Sequence, residues 1–161
     1  HKMSSFWRGT SEEKLEQAER RLMEISGVQE EEYESYPVKF TFSSNDWKEQ
    51  PVDDYEDEVI ESSGFCCNAT RRNAHVEEKA EYIWTIEMGH HNETNLVVIH
   101  GYGGSGMIFY KMFRELSEHF HVYFIDLLGM GRSSRGDFEC ATFGECERYF
   151  VNSIDKWRAA V

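Results

Sequence analysis

The sequence predicts an α/β fold, and two patterns in its second half carry that expectation. Leu96-Val97-Val98-Ile99 and Val122-Tyr123-Phe124-Ile125 are short unbroken apolar runs, the pattern of strands covered on both faces. Phe109, Met112, Phe113, Leu116 and Phe120 recur at helical spacing between them, as do Phe143, Cys146, Phe150, Ile154, Trp157 and Val161 after them. Strand, helix and strand in that order imply a right-handed crossover in a mostly parallel sheet.

The elements follow in chain order. Residues 10–26 read as an amphipathic helix: Thr10 and Glu13 form a capping-box pair, and Leu15, Ala18, Leu22 and Ile25 make one stripe before Gly27 stops it. Glu12, Glu16, Glu19 and Glu24 fall on the opposite, solvated face. Pro37–Phe42 alternates as a short strand. Residues 44 to about 80 change character, because Asp53, Asp54, Glu56, Asp57, Glu58 and Glu61 crowd together with few large apolar residues. That composition suits a solvated, mobile insertion. Tyr82–Met88 alternates as a further strand. The chain thus divides into a leading helix with an acidic linker (1–35) and a main unit (36–161) interrupted at about 44–80.

Composition removes several classes of function. Thirty Asp and Glu against 17 Lys and Arg give a formal net charge of −13, which repels nucleic-acid phosphate, so no nucleic-acid partner is expected. No apolar run reaches the length of a membrane span, and residues 1–10 lack the apolar stretch of a signal peptide. The four cysteines, Cys66, Cys67, Cys140 and Cys146, fit neither a zinc knuckle nor a disulfide framework, so reduced thiols and a cytoplasmic setting are expected. The triplets Asn68-Ala69-Thr70 and Asn92-Glu93-Thr94 then read as chance glycosylation matches. The absence of an initial Met suggests missing upstream sequence.

Chemistry is expected in the loops that follow the carboxyl ends of the strands. His100-Gly101-Tyr102-Gly103-Gly104-Ser105-Gly106 leaves the first apolar strand, and its glycines permit a sharp turn with uncovered backbone N–H groups. Such amides can stabilise an oxyanion during acyl transfer. A phosphate-binding loop fits less well, because neither Gly-Lys-Ser/Thr nor G-x-G-x-x-G can be laid on it. Asp126-Leu-Leu-Gly129-Met-Gly131-Arg-Ser133-Ser134 follows the second strand.

Together, His100-Gly-Tyr-Gly-Gly and Asp126-x-x-Gly-x-Gly-x-Ser resemble the start of an α/β-hydrolase core. Asp126–Arg135, Phe150–Arg158, Tyr82-Ile-Trp-Thr-Ile86 and the leading helix with Glu13-Lys-Leu resemble the α/β-hydrolase-domain 4/5 subfamily of lipid enzymes. The resemblance covers most of the chain outside residues 44–80. It implies a hydrolase or acyltransferase acting on lysophospholipids or N-acyl phospholipids. Its alternative implication is a non-catalytic lipase co-activator that binds a lipase partner. Either would work in the cytoplasm or peripherally on membranes, lipid droplets or mitochondria, with a lipid substrate or acyl donor and no cofactor. Of the subfamily's aromatic N-terminus, only Phe6 and Trp7 match.

By position, Gly101, Tyr102 and Gly103 would form half of an oxyanion hole, while His100, Asp126, Gly129, Gly131 and Ser133 would hold the loops. The nucleophile elbow G-x-S-x-G is not met: Gly103-Gly-Ser105-Gly-Met107 and Gly131-Arg-Ser133-Ser-Arg135 both miss at the last position. Nucleophile, acid and base are therefore expected after Val161, which makes the chain an N-terminal portion of the domain with no esterase activity by itself.

Three histidine signals are weaker. His121 and Asp126 match H-x-x-x-x-D, yet about 16 Å of extended strand would separate them. His100 is expected to fix its loop by hydrogen bonding rather than act as a base. His90-His91 sits in a polar turn, where a metal role needs further ligands nearby, and none is expected.

Overall fold

The computed structural model describes residues 11–48, 79–136 and 138–161. Phe6, Trp7, Thr10, Cys66-Cys67, the Asn68 triplet and most of the acidic stretch lie outside them.

The first helix, α1, spans Glu12–Ser26. Ser11 caps it, its hydroxyl accepting from the Lys14 N–H, and Gly27 ends it in the left-handed conformation (φ 77°). The cap therefore falls one residue later than Thr10. The packing stripe also differs from the expected one: Glu19 and Met23 are buried, whereas Ala18 and Ile25 are exposed. Glu19 can face inward because it meets an arginine there, described below.

Strand β1 (Tyr33–Phe42) begins four residues before the expected Pro37. It runs into a single helical turn, α2 (Asn45–Lys48), which corrects the reading of this end of residues 44–80 as solvated loop. Trp47 is buried here, and its carbonyl accepts from Arg148 Nε at 2.9 Å. Strands β2 (Lys79–Met88) and β3 (Asn95–Ile99) follow. The segment after β3 was expected as one helix. It is instead a 3₁₀ stretch (Gly106–Met112) continued by a short α3 (Phe113–Ser117). Strand β4 (His121–Ile125) and helix α4 (Phe143–Ala160) complete the described chain.

The four strands form one sheet in the order β1-β2-β4-β3. β1 with β2 and β2 with β4 are antiparallel, while β3 with β4 is the parallel pair that the strand–helix–strand pattern anticipates. Helices cover both faces, as the α/β reading requires. On one face α4 packs against Val38, Phe42, Ile83, Tyr123 and Ile125, anchored by Tyr149 and Trp157. On the other, Met23 and Val28 with Phe113 cover Ile86, Met88, Val122 and Phe124.

The two apolar runs do not share one environment. β4 is internal and its Val122–Ile125 are all buried. β3 is the sheet's edge among the described residues, with Val97 40% and Ile99 44% exposed. An unbroken apolar run thus predicted burial on both faces that only the internal strand has.

Candidate active-site loops

Both glycine-rich loops leave the carboxyl ends of neighbouring parallel strands, so they lie side by side. The His100 side chain joins them. Its Nδ1 lies 2.7 Å from the Gly101 carbonyl, and its Nε2 accepts from the Leu127 N–H at 3.1 Å. A backbone N–H can only donate, so Nε2 is the unprotonated nitrogen and Nδ1–H donates to Gly101. The ring is 3% exposed and both of its nitrogens are engaged.

Asp126 is the second brace. Oδ1 accepts from the Gly106 N–H at 2.6 Å and Oδ2 from the Arg132 N–H at 2.7 Å, so one carboxylate holds both loops. Burial raises its pKa above the ordinary aspartate value, against the pull of those two N–H donors and His100. Gly131 makes this possible: at φ 51°, a Cβ there would lie 2.0 Å from Asp126 Oδ2. Gly129, at φ 78°, provides the turn before it. Ser133 is wholly buried, donating to the Asp126 carbonyl and accepting from the Trp84 N–H at 2.8 Å. Ser134 is bound to Tyr82 in the same manner, through the Tyr82 N–H at 2.9 Å. The second loop is thereby sewn to β2.

What these braces hold in place is the turn Gly101–Gly104, closed by a Gly104 N–H to Gly101 carbonyl bond of 3.0 Å. Gly103 adopts φ 72°, and Gly101, Tyr102 and Gly103 are all exposed. Among the described residues, the Tyr102 and Gly103 N–H groups have no hydrogen-bond acceptor. Ser105 caps the following 3₁₀ stretch, accepting from the Met107 N–H at 3.2 Å. Neither Ser105 nor Ser133 is presented as a nucleophile; each hydroxyl is spent on backbone.

Residues 94–159 match the family model for the alpha/beta hydrolase fold, a stretch that contains both loops and every brace just described. The chain is of the α/β-hydrolase fold. Its curated relatives include a probable 1-acylglycerol-3-phosphate O-acyltransferase of Oryza sativa subsp. japonica, 45% identical over 69 residues. That match takes in 43% of this chain and 17% of the relative. Human 1-acylglycerol-3-phosphate O-acyltransferase ABHD5 is 43% identical over 81 residues, covering 49% of this chain and 23% of that protein. Human (Lyso)-N-acylphosphatidylethanolamine lipase is 38% identical over 78 residues, covering 47% and 22%. These similarities support an ABHD4/5-like reading of the hydrolase fold. The chain spans about a fifth of these relatives' length.

Within this hydrolase fold, the structure brings together His100, Asp126, Gly129, Gly131 and Ser133 with the 101–103 turn. It keeps His121 and Asp126 at opposite ends of β4, as strand geometry requires. Sequence reasoning missed Arg132. Its guanidinium sits 3.7 Å from the centre of the Trp84 ring and pairs with Glu19 at 2.7 Å and Glu12 at 2.5 Å. Burial disfavours this charge, but Glu12 and Glu19 outweigh it and hold Arg132 more firmly protonated than usual. No spacing rule links residues 19 and 132. The one available signal is a carboxylate within four residues of Leu15 and Met23 on a helix with a single apolar stripe.

Proposed function

We propose that the protein to which this chain belongs transfers acyl groups of lipid esters, with the 101–103 turn donating backbone N–H groups to the oxyanion. The observation that supports this most strongly is the pair of acceptor-free N–H groups at Tyr102 and Gly103, on a turn fixed from behind by His100 and Asp126. Stabilising an oxyanion needs donors already aimed before charge develops, and a braced turn avoids reorganisation at that moment. The activities for which the relatives are named, O-acyl transfer to a 1-acylglycerol-3-phosphate and lipolysis of an N-acylphosphatidylethanolamine, suggest lysophospholipid or N-acyl phospholipid substrates. Exposed Tyr102 (89%) on the turn, and Ile108 (57%) and Met112 (49%) in the 3₁₀ stretch after it, suit an acyl chain or a lipid surface. A net charge of −13 would repel an anionic bilayer, so a neutral droplet or membrane surface is the better setting.

The test is to incubate the full-length protein with lysophosphatidate and an acyl donor, and separately with N-acylphosphatidylethanolamine. Acyl transfer or release, with covalent labelling by a fluorophosphonate, is the expected result. A folded full-length protein that neither turns over nor labels would favour the non-catalytic co-activator instead.

A further inference from the structure

The end of the sheet remote from the glycine loops carries a second cluster of reactive side chains. Glu87 is near the end of β2, His90 lies in the turn after it, and His121 opens β4. β2 and β4 are antiparallel neighbours, with Glu87 opposite Tyr123, so His121, 34 residues further on, converges with Glu87 and His90. One ligand atom from each lies within 4.8 Å of the other two. His121 Nε2 is 2.6 Å and His90 Nδ1 3.4 Å from the same Glu87 oxygen, Oε1.

We propose that Glu87, His90 and His121 form a binding site for a divalent transition metal, zinc by preference. Two imidazoles and one carboxylate are a zinc-type donor set, whereas magnesium and calcium favour all-oxygen sites. Tetrahedral zinc with bonds of about 2.0–2.2 Å holds its ligand atoms roughly 3.3 Å apart. The Glu87–His90 spacing meets this already, and the Glu87–His121 pair reaches it by opening through roughly 0.7 Å as the metal replaces their shared proton.

The surroundings favour the same reading. Tyr36 hydroxyl donates to the other Glu87 oxygen, Oε2, leaving Oε1 turned toward the imidazoles. Such an outer hydrogen bond is what orients a metal-binding carboxylate. The Tyr123 ring lies 4.7 Å from that of His121 and limits its rotation. Glu87 and His121 side chains are only 11% and 18% exposed, while His90 is 47% exposed. The site is therefore anchored on its buried side and open on the other, where water completes the coordination. Such an ion would tie the β2–β3 turn to the start of β4. His91 takes no part, since its Nε2 faces the Asn92 side chain at 3.3 Å.

The experiment titrates the metal-free chain with zinc sulfate. Because thiols elsewhere in the chain also attract zinc, binding is read at individual imidazoles by nuclear magnetic resonance alongside calorimetry. The expected result is one zinc equivalent that shifts the His90 and His121 ring signals. His90→Ala, at an exposed turn position, should weaken that binding at least tenfold with unchanged circular dichroism, and Glu87→Gln should do likewise. His91→Ala should leave it unchanged. Zinc affinity unaffected by His90→Ala, or His90 and His121 rings indifferent to saturating zinc, would overturn the proposal.

Discussion

Ser133 shows how much one hydroxyl can carry when it is wholly buried. It receives the Trp84 N–H and donates to the Asp126 carbonyl, so alanine in its place strands two backbone groups away from water. Ser133→Ala should cost about 1–3 kcal/mol per group left unpaired, read as a lower urea midpoint with an unchanged slope. An unshifted midpoint would mean that water reaches Trp84 N–H. That Asp126 and His100 could hydrogen-bond their loops was legible beforehand, because a polar residue ending an apolar strand beside a glycine-rich loop has backbone groups within reach. The partners were not: which amides face Asp126 depends on how two loops 20 residues apart are superposed. Arg132 illustrates the same limit, since its carboxylate partners come from a helix more than 100 residues earlier.

The elements differ from their sequence patterns where tertiary contacts outweigh local composition. α2 sits at the margin of an acidic stretch, yet it docks on α4: Trp47 packs edge-on against Tyr149, and Asp46 pairs with Lys156 at 2.9 Å. Trp47→Ala should therefore cost about 3–5 kcal/mol on urea denaturation, whereas a solvated loop residue would cost almost nothing. Asp46 gives a pH signature. Burial by itself would raise its pKa, but hydrogen bonds from Lys156 and Ser43 outweigh burial and lower it from the usual 3.8. A carboxyl with a depressed folded-state pKa stabilises the protein above its unfolded value and loses that contribution as pH falls through the folded one. Stability should thus fall as pH drops below about 3.8, and Asp46→Asn should flatten that part of the profile. Parallel profiles for the two proteins would show that the pair contributes nothing. Among the described residues, apolar patterning located every strand and α4. It misjudged the segment after β3, because Gly106 must pass close to β4, where a Cβ would come within 3.1 Å of Phe124. A tight 3₁₀ path there is a consequence of packing that periodicity does not encode.

At the scale of the whole molecule, the sheet's order leaves β3 outermost among the described residues, with Val97 and Ile99 partly bare. A flat apolar edge of this kind invites pairing with another chain. The 161-residue chain should therefore self-associate with rising concentration in sedimentation, and Val97→Lys should shift it toward monomer; a wild-type chain monomeric at every concentration would contradict this. The same arrangement places the braced turn, with its two acceptor-free N–H groups, at the carboxyl end of β3. That they serve an oxyanion is the centre of the functional account. It is tested most directly in the full-length protein by replacing Tyr102, and then Gly103, with the corresponding α-hydroxy acid, which exchanges one N–H for an ester oxygen and keeps the side chain. The expected result is that kcat for acyl transfer falls about 10²–10³-fold in at least one of the two proteins, with KM little changed. Full kcat in both would contradict it.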